Sequence, residues 1–322
     1  MEQQLRTGAV AIGILLTGIV PAAAFDCAKA RLPIETAICA DHAAKASDDA
    51  MEAAFETLRP ALAGPQNQAA LDDQRAWLKQ RNTDCLRNKT PASCIADANR
   101  ARIGILTAQP ESGPGLERRP QPFFVRQAGS RAKVDVALQL YKFAEPASPG
   151  ERLLNARTDE TAAKTDFRKE EPEDRDWSRE ESWTIAYASP VFLSVWAASY
   201  DYSGGAHGST GGRGIHIDLR RGRILTFADL FDAKAATEIE RRCLKQIKAE
   251  KIERGAGDDD QTDLPKQVAE VVKDLGNWSI KEKAASVYFA HYAIASYAKG
   301  TYDCDLPMDV LNTLSKVPLP PR

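Results

Sequence analysis

The apolar positions change period along the chain, and each period predicts a different element. Ala9 to Val20 is an almost unbroken apolar run (AVAIGILLTGIV) closed by Pro21. Such a run is shorter than the roughly 20 residues that a membrane-spanning helix needs. From Phe25 to Ala108 the chain is rich in alanine and charge and poor in glycine. There Met51, Phe55, Leu58 and Leu62 recur at helical spacing, and Gly64-Pro65 ends that helix. A second helix carries Leu71, Gln74, Leu78 and Cys85 on one stripe, with Trp77 beside it. A turn over Asn88 to Pro91 leads to a third, whose predicted inner face is Ala98, Ala101 and Ile105. Short connections favour an antiparallel helical bundle.

Residues 109–122 (QPESGPGLERRPQP) hold four prolines, two glycines and almost no apolar content, and are expected to be a linker that few contacts cross. From Phe123 the period falls to two. Val134, Val136, Leu138 and Leu140 alternate with Asp135, Ala137 and Gln139; Trp183, Ile185 and Tyr187 alternate again. Phe192 to Tyr202 reads as a longer strand closed by Gly204-Gly205. Ile215 to Leu219 leads through a hairpin turn at Gly222 into Ile224 and Leu225. Two helices follow, one on Ile239, Cys243 and Ile247, the other on Val268, Val271, Val272 and Leu275. The acidic loop Gly255 to Asp263 lies between them. Val287 to Phe289 is a strand and Met308 to Leu314 a helix. The expected class is α+β: a disulfide-bonded helical bundle, then an α+β domain with a mainly antiparallel sheet. The expected boundaries are 1–24, 25–108, 109–122 and 123–322.

Arg6 ahead of the apolar run, and Ala22-Ala23-Ala24 after it, turn that run into a cleavable secretory signal over 1–24, with a mature chain from Phe25. Cys27 follows Phe25 and Asp26 rather than small residues, so no lipid anchor is expected after cleavage. The expected location is periplasmic or secreted. All six cysteines lie beyond the cleavage point, and an even count in an exported chain argues for three disulfides. A formal net charge of −2 gives no case for nucleic acid. Arg118-Arg119 and Arg220-Arg221 read as solvated turns.

No catalytic constellation is evident, and no cofactor is expected. His42, His207, His216 and His291 have no metal-site spacing, and no G-x-S-x-G elbow occurs. The run Gly204-Gly205-Ala206-His207-Gly208 lacks a phosphate-loop lysine, so its glycines serve a tight turn. His207 has a catalytic reading as a base, against the plainer one of a turn histidine bonded to backbone. Trp183, Tyr187, Trp196, Tyr200 and Tyr202 have a carbohydrate-groove reading beside the more economical one of core packing, with Tyr202 placed nearest the surface. Glu35 and Asp41 imitate a glycosidase pair, but an alanine-rich helix makes them cap and surface charges.

The residues Phe25-Asp26-Cys27, Glu35-Thr36-Ala37-Ile38-Cys39 and Asp73-Gln74-Arg75-Ala76-Trp77-Leu78-Lys79-Gln80-Arg81, followed by Cys85 and Cys94, resemble the LprI-type lysozyme-inhibitor domain. That family shows four cysteines and a Q-x-x-W-x-x-x-R helix. The second half is similar to the C-terminal domain of the lysozyme-sensing anti-sigma factor RsiV, found also in the peptidoglycan deacetylase PdaC. The pieces that carry this likeness are Tyr202 to Gly208, Gly222 to Phe231, Val287 to Phe289 and Tyr292 to Gly300. The family has an acidic residue where this chain has Ala293 and proline where it has Ser296. The deacetylase activity of PdaC resides in a separate domain and is not implied.

Both resemblances imply a lysozyme-type muramidase, or another envelope protein, as partner. The expected function is a binding protein that inhibits lysozyme, not an enzyme. A non-inhibitory scaffold or sensor is the alternative, followed by a peptidoglycan-active enzyme using the His207 turn. The candidate binding residues are Arg87 and Lys89, in the turn between the second and third helices, with Tyr202 and His207. Six cysteines allow 15 pairings. The expected set is Cys27–Cys39, Cys85–Cys94 and Cys243–Cys304, and Cys27–Cys85 with Cys39–Cys94 is the competing arrangement.

Overall fold

The computed structural model describes residues 26–129, 134–166, 176–255 and 263–321. The expected signal segment, Phe25 and most of the acidic loop lie outside the described residues.

Four helices make the first half: α1 (Pro33–Cys39), α2 (His42–Leu58), α3 (Pro65–Arg87) and α4 (Pro91–Leu106). Proline opens α1, α3 and α4, where its missing N–H costs nothing. Asp41 caps α2 by accepting the Ala44 N–H at 2.8 Å. Met51, Phe55 and Leu58 are buried along α2 as the spacing predicts. The inner face of α4 is not the predicted one. Ile95, Asn99, Arg102 and Leu106 point inward, while Ala98 and Ile105 are half-buried and Ala101 is exposed. An apolarity count puts arginine and asparagine outside; here both are buried because carboxylates are buried with them.

The Gln74, Trp77, Arg81 pattern is the centre of that arrangement. Arg81 donates to Asp48 at 2.6 Å and to Asn99 at 2.7 Å. Arg102 donates to Gln74 at 2.9 Å and to Asp73 at 2.8 Å. Both guanidinium groups lie over the Trp77 ring, at 5.2 and 5.3 Å from its centroid. Burial pulls the Arg102 guanidinium below its usual range, and Asp73 pulls it back.

The second half holds a six-stranded sheet in sequence order: β1 (Gln121–Ala128), β2 (Val134–Lys142), β3 (Trp177–Ala188), β4 (Phe192–Tyr202), β5 (Ser209–Asp218) and β6 (Arg223–Ile224). Every pairing in it is antiparallel except β2 with β3. That parallel pair requires a crossover, and α5 (Pro149–Lys164) supplies it. After β6 come α6 (Phe227–Leu230), α7 (Ala233–Glu253) and α8 (Leu264–Lys273). A small antiparallel sheet follows, β7 (Trp278–Ile280), β8 (Ala284–Phe289) and β9 (Tyr302–Pro307), and α9 (Met308–Leu314) completes the order. The largest core cluster lies among α7, α8 and this small sheet.

Three disulfides are present, Cys27–Cys39, Cys85–Cys94 and Cys243–Cys304. The third joins α7 to β9 within the largest core cluster, where both cysteines are fully buried.

The expected linker has no helix or strand from Gln109 to Pro120, but it is anchored. Glu111 and Gly115 donate their N–H groups to Ile185 and Ala188 at 2.9 and 3.0 Å. Gly113 has φ +91°, and a Cβ there would stand 2.4 Å from the Ala188 carbonyl oxygen. The expectation of few contacts between the halves is corrected as well. Gln139 of β2 donates to Asp73 at 3.1 Å, and Arg102 lies 5.7 Å over the ring of Phe124 of β1.

Candidate functional site

Large apolar side chains exposed to water are informative when they cluster. Among the described residues Leu32, Leu86, Ile252, Tyr292 and Val317 are exposed. Leu32 immediately precedes α1 and Leu86 immediately follows Cys85 of α3, and α1 and Cys85 share one core cluster at the double-disulfide end of the helical half.

That end is built from short pieces. The α3 helix finishes at Arg87, and the Asn88 N–H returns to the Cys85 carbonyl at 3.1 Å. The Asn88 side-chain oxygen accepts the Thr90 N–H at 3.0 Å and so shapes the turn. Pro91 then starts α4, and Cys85–Cys94 ties the two helices across the turn. Ile34 and Ile38 of α1 pack with Cys85 and Ile95 beneath. Outside, residues 86 to 90 are all exposed. Arg87 and Lys89 therefore stand in water beside Leu86, on a turn with little freedom. Glu35 accepts the N–H groups of Arg31 and Leu32 at 2.8 and 2.9 Å, and these bonds hold its carboxyl below the usual range. Glu35 and Asp41 are both helix caps.

A second cluster lies on the sheet half. Positive φ at Gly204 and Gly205 turns the chain after β4. Tyr202 is half-buried and donates to the Gly205 carbonyl at 3.1 Å. His207 is exposed, and its Nδ1 donates to the Gly208 carbonyl at 2.9 Å. Its ring stacks on Tyr297 at 3.9 Å between centroids, and His291 stacks on the same ring at 4.2 Å. Two rings at those separations do not fit one face, so Tyr297 lies between the histidines. Tyr297 also donates to the Gly208 carbonyl at 2.7 Å, and exposed Tyr292 packs at its side. The structure thus brings together Tyr202 to Gly208 and Tyr292 to Gly300, two stretches far apart in sequence. The sequence reading placed His207 here but not His291 or Tyr297. The recurrence of both stretches in one family resemblance was the available signal.

The remaining sequence candidates have structural positions. Trp183 and Tyr187 are fully buried, whereas Trp196 and Tyr200 are half-buried and lie across Gly212 and Gly208. His216 is buried, and its Nε2 donates to the carbonyls of Leu275 and Trp278, both at 3.1 Å. Burial pulls its pKa down to about 4, so the ring is neutral. Among the described residues no group of three His, Cys, Asp or Glu side chains is placed to hold a metal ion. No helix among them is long and apolar enough to cross a membrane.

Residues 27–106 match the family model described as lysozyme inhibitor LprI. The helical half carries an LprI-type domain. Its four cysteines and the Gln74, Trp77, Arg81 set all fall within that match. Residues 150–210 match a model described as deacetylase PdaC, and residues 228–309 a protein family of unknown function, DUF3298. No curated protein matches the chain at a significant level. Among solved structures, a DUF3298 family protein from Pseudomonas aeruginosa PAO1 is 18% identical with a TM-score of 0.44, covering 63% of this chain and 96% of its own. A DUF3298 member from Bacteroides fragilis is 13% identical with a TM-score of 0.44, covering 62% and 94%.

Proposed function

We propose that this chain is an exported envelope protein that binds a lysozyme-type muramidase and inhibits it without turning over a substrate. The observation that supports this most is the LprI-type domain over residues 27–106, whose motif residues are consumed in its own scaffold. Gln74, Trp77 and Arg81 hold helices together, so contact with a partner falls to the surface those helices present.

The double-disulfide end is the part we assign to that contact. A muramidase cleft carries carboxylates, and Arg87 and Lys89 offer them opposite charge. Leu86 and Leu32 add apolar area that water covers poorly. Cys85–Cys94 restricts the turn, which lowers the entropy lost on binding. A periplasmic or secreted location accords with the three disulfides.

A second reading places the contact on the His207–Tyr297–His291 stack, because two motif stretches converge there on one exposed surface. Clearing of a cell-wall suspension by lysozyme, followed by turbidity, separates the two. Loss of inhibition in Arg87→Ala/Lys89→Ala with retention in His207→Ala/Tyr292→Ala supports the helical end. The reverse supports the stack. Clearing that the unmodified protein never slows, with any lysozyme class, removes the inhibitor reading.

A further inference from the structure

An apolar bowl of about 510 Å³ opens where the β3–β4 and β5–β6 turns meet the C-terminal stretch. It is within the size range of small-molecule sites. Phe192, Leu225 and Leu230 form its floor, and Val317 stands exposed on its lip with Pro318 beside it. The C-terminal stretch is a fixed wall. Leu319 donates its N–H to Asn312 at 2.7 Å, Ser189 donates to the Pro321 carbonyl at 2.9 Å, and the Lys316 N–H reaches the Leu230 carbonyl at 2.8 Å.

The charges around the bowl do not cancel. Its lining includes Arg220, Arg221 and Arg223 but only two carboxylates, Asp218 and Asp229. Arg221 pairs with Asp218 at 3.3 Å, and Arg223 pairs with Asp229 at 2.8 Å. Asp218 is further occupied by the N–H groups of Arg220 and Arg221, at 3.1 and 2.9 Å. The Arg220 guanidinium has no carboxylate partner among the described residues. Glu117 lines the adjoining recess without forming an ion pair with it. A guanidinium that no carboxylate among the described residues pairs, at the rim of an apolar concavity, is complementary to a ligand with one anionic head and an apolar tail.

We propose that this bowl binds an acyl carboxylate of medium chain length. The chain lies against Phe192, Leu225, Leu230 and Val317, and the carboxylate accepts hydrogen bonds from Arg220. This site is separate from the muramidase contact, and its failure leaves that reading untouched.

Titration calorimetry of the mature protein with laurate below its micelle concentration tests the assignment. Dodecanol and acetate serve as the tail alone and the head alone. Laurate is expected to bind more tightly than either. Arg220→Gln is expected to weaken laurate about tenfold, as for loss of one charged hydrogen bond, and to leave dodecanol unchanged. Val317→Asp is expected to weaken both. Absence of laurate binding, equal affinity for laurate and dodecanol, or an Arg220→Gln protein that binds laurate normally overturns the proposal. A peptide ending in leucine with a free carboxylate that outcompetes laurate overturns the acyl assignment and makes the bowl a peptide-terminus site.

Discussion

Arg102 and Asp73 meet at 2.8 Å between α4 and α3, and neither side chain is open to water. Gln139 of β2 shares the same carboxylate. Removing one partner of such a pair leaves a buried charge without compensation and costs about 3–5 kcal/mol. Asp73→Ala is therefore expected to lower stability by that amount in urea unfolding at neutral pH. The paired change Asp73→Ala/Arg102→Met is expected to cost less than Asp73→Ala alone. A double-variant loss equal to the sum of the Asp73→Ala and Arg102→Met losses measured singly would mean that the ion pair carries no coupling.

We treat the division at residues 109–122 as a division between two units whose connection is docked. Gly113→Ala puts a Cβ against the Ala188 carbonyl and forces a left-handed φ on alanine, a strain of roughly 1–3 kcal/mol. The expected result is a lower melting temperature and faster tryptic cleavage after Arg118, since Pro120 protects the bond after Arg119. Unchanged cleavage would show that the segment is already undocked in solution.

Much of this was legible in the sequence. The α2 stripe, the β2 alternation and the Gly222 turn follow directly from period and turn chemistry, as does the α+β class. What failed was polarity used as a guide to burial. Asn99 and Arg102 look like surface residues until their partners on α2 and α3 are known, and those partners are 18 to 52 residues away in sequence. The α5 helix escaped because its buried side chains include Asn155 and Thr158, although Ser148, Pro149 and Glu151 spell a capped start. The β9 strand alternates Tyr302, Cys304 and Leu306 with aspartates, a pattern short enough to pass as loop. At the candidate site, Arg87 and Lys89 were readable from the turn. The pairing of His207 with His291 across Tyr297 was not, because it rests on tertiary contact alone.

His216 makes the protein acid-sensitive in a defined window. Its folded pKa of about 4 lies below the unfolded value of 6.5, so the unfolded chain binds the extra proton first. Stability is full above pH 6.5 and falls as pH drops toward 4, by roughly 3 kcal/mol in total. Protonation would place an N–H on Nδ1, which is buried and has no partner. Between pH 7.5 and 4.5, the stability of His216→Gln measured by urea unfolding is expected to decline less than that of the unmodified protein. Parallel declines would assign the acid sensitivity to other groups.

The Cys85–Cys94 bridge is expected to matter for binding as well as stability. Replacing both cysteines with serine costs about 2–4 kcal/mol by releasing the unfolded chain. If the turn contacts the partner, affinity for lysozyme also falls, because the freed loop must be ordered on binding. Lysozyme affinity that survives this change at a temperature where the variant is folded would separate the turn from recognition.

The central claim is direct binding of a muramidase at the double-disulfide end. Titration calorimetry of the mature, oxidised protein against lysozymes of several classes measures it. The account predicts saturable binding to at least one class, weakened at least tenfold in Leu86→Ala/Arg87→Ala/Lys89→Ala while the fold is retained. No heat of binding with any class, or full affinity in that triple variant, would contradict it.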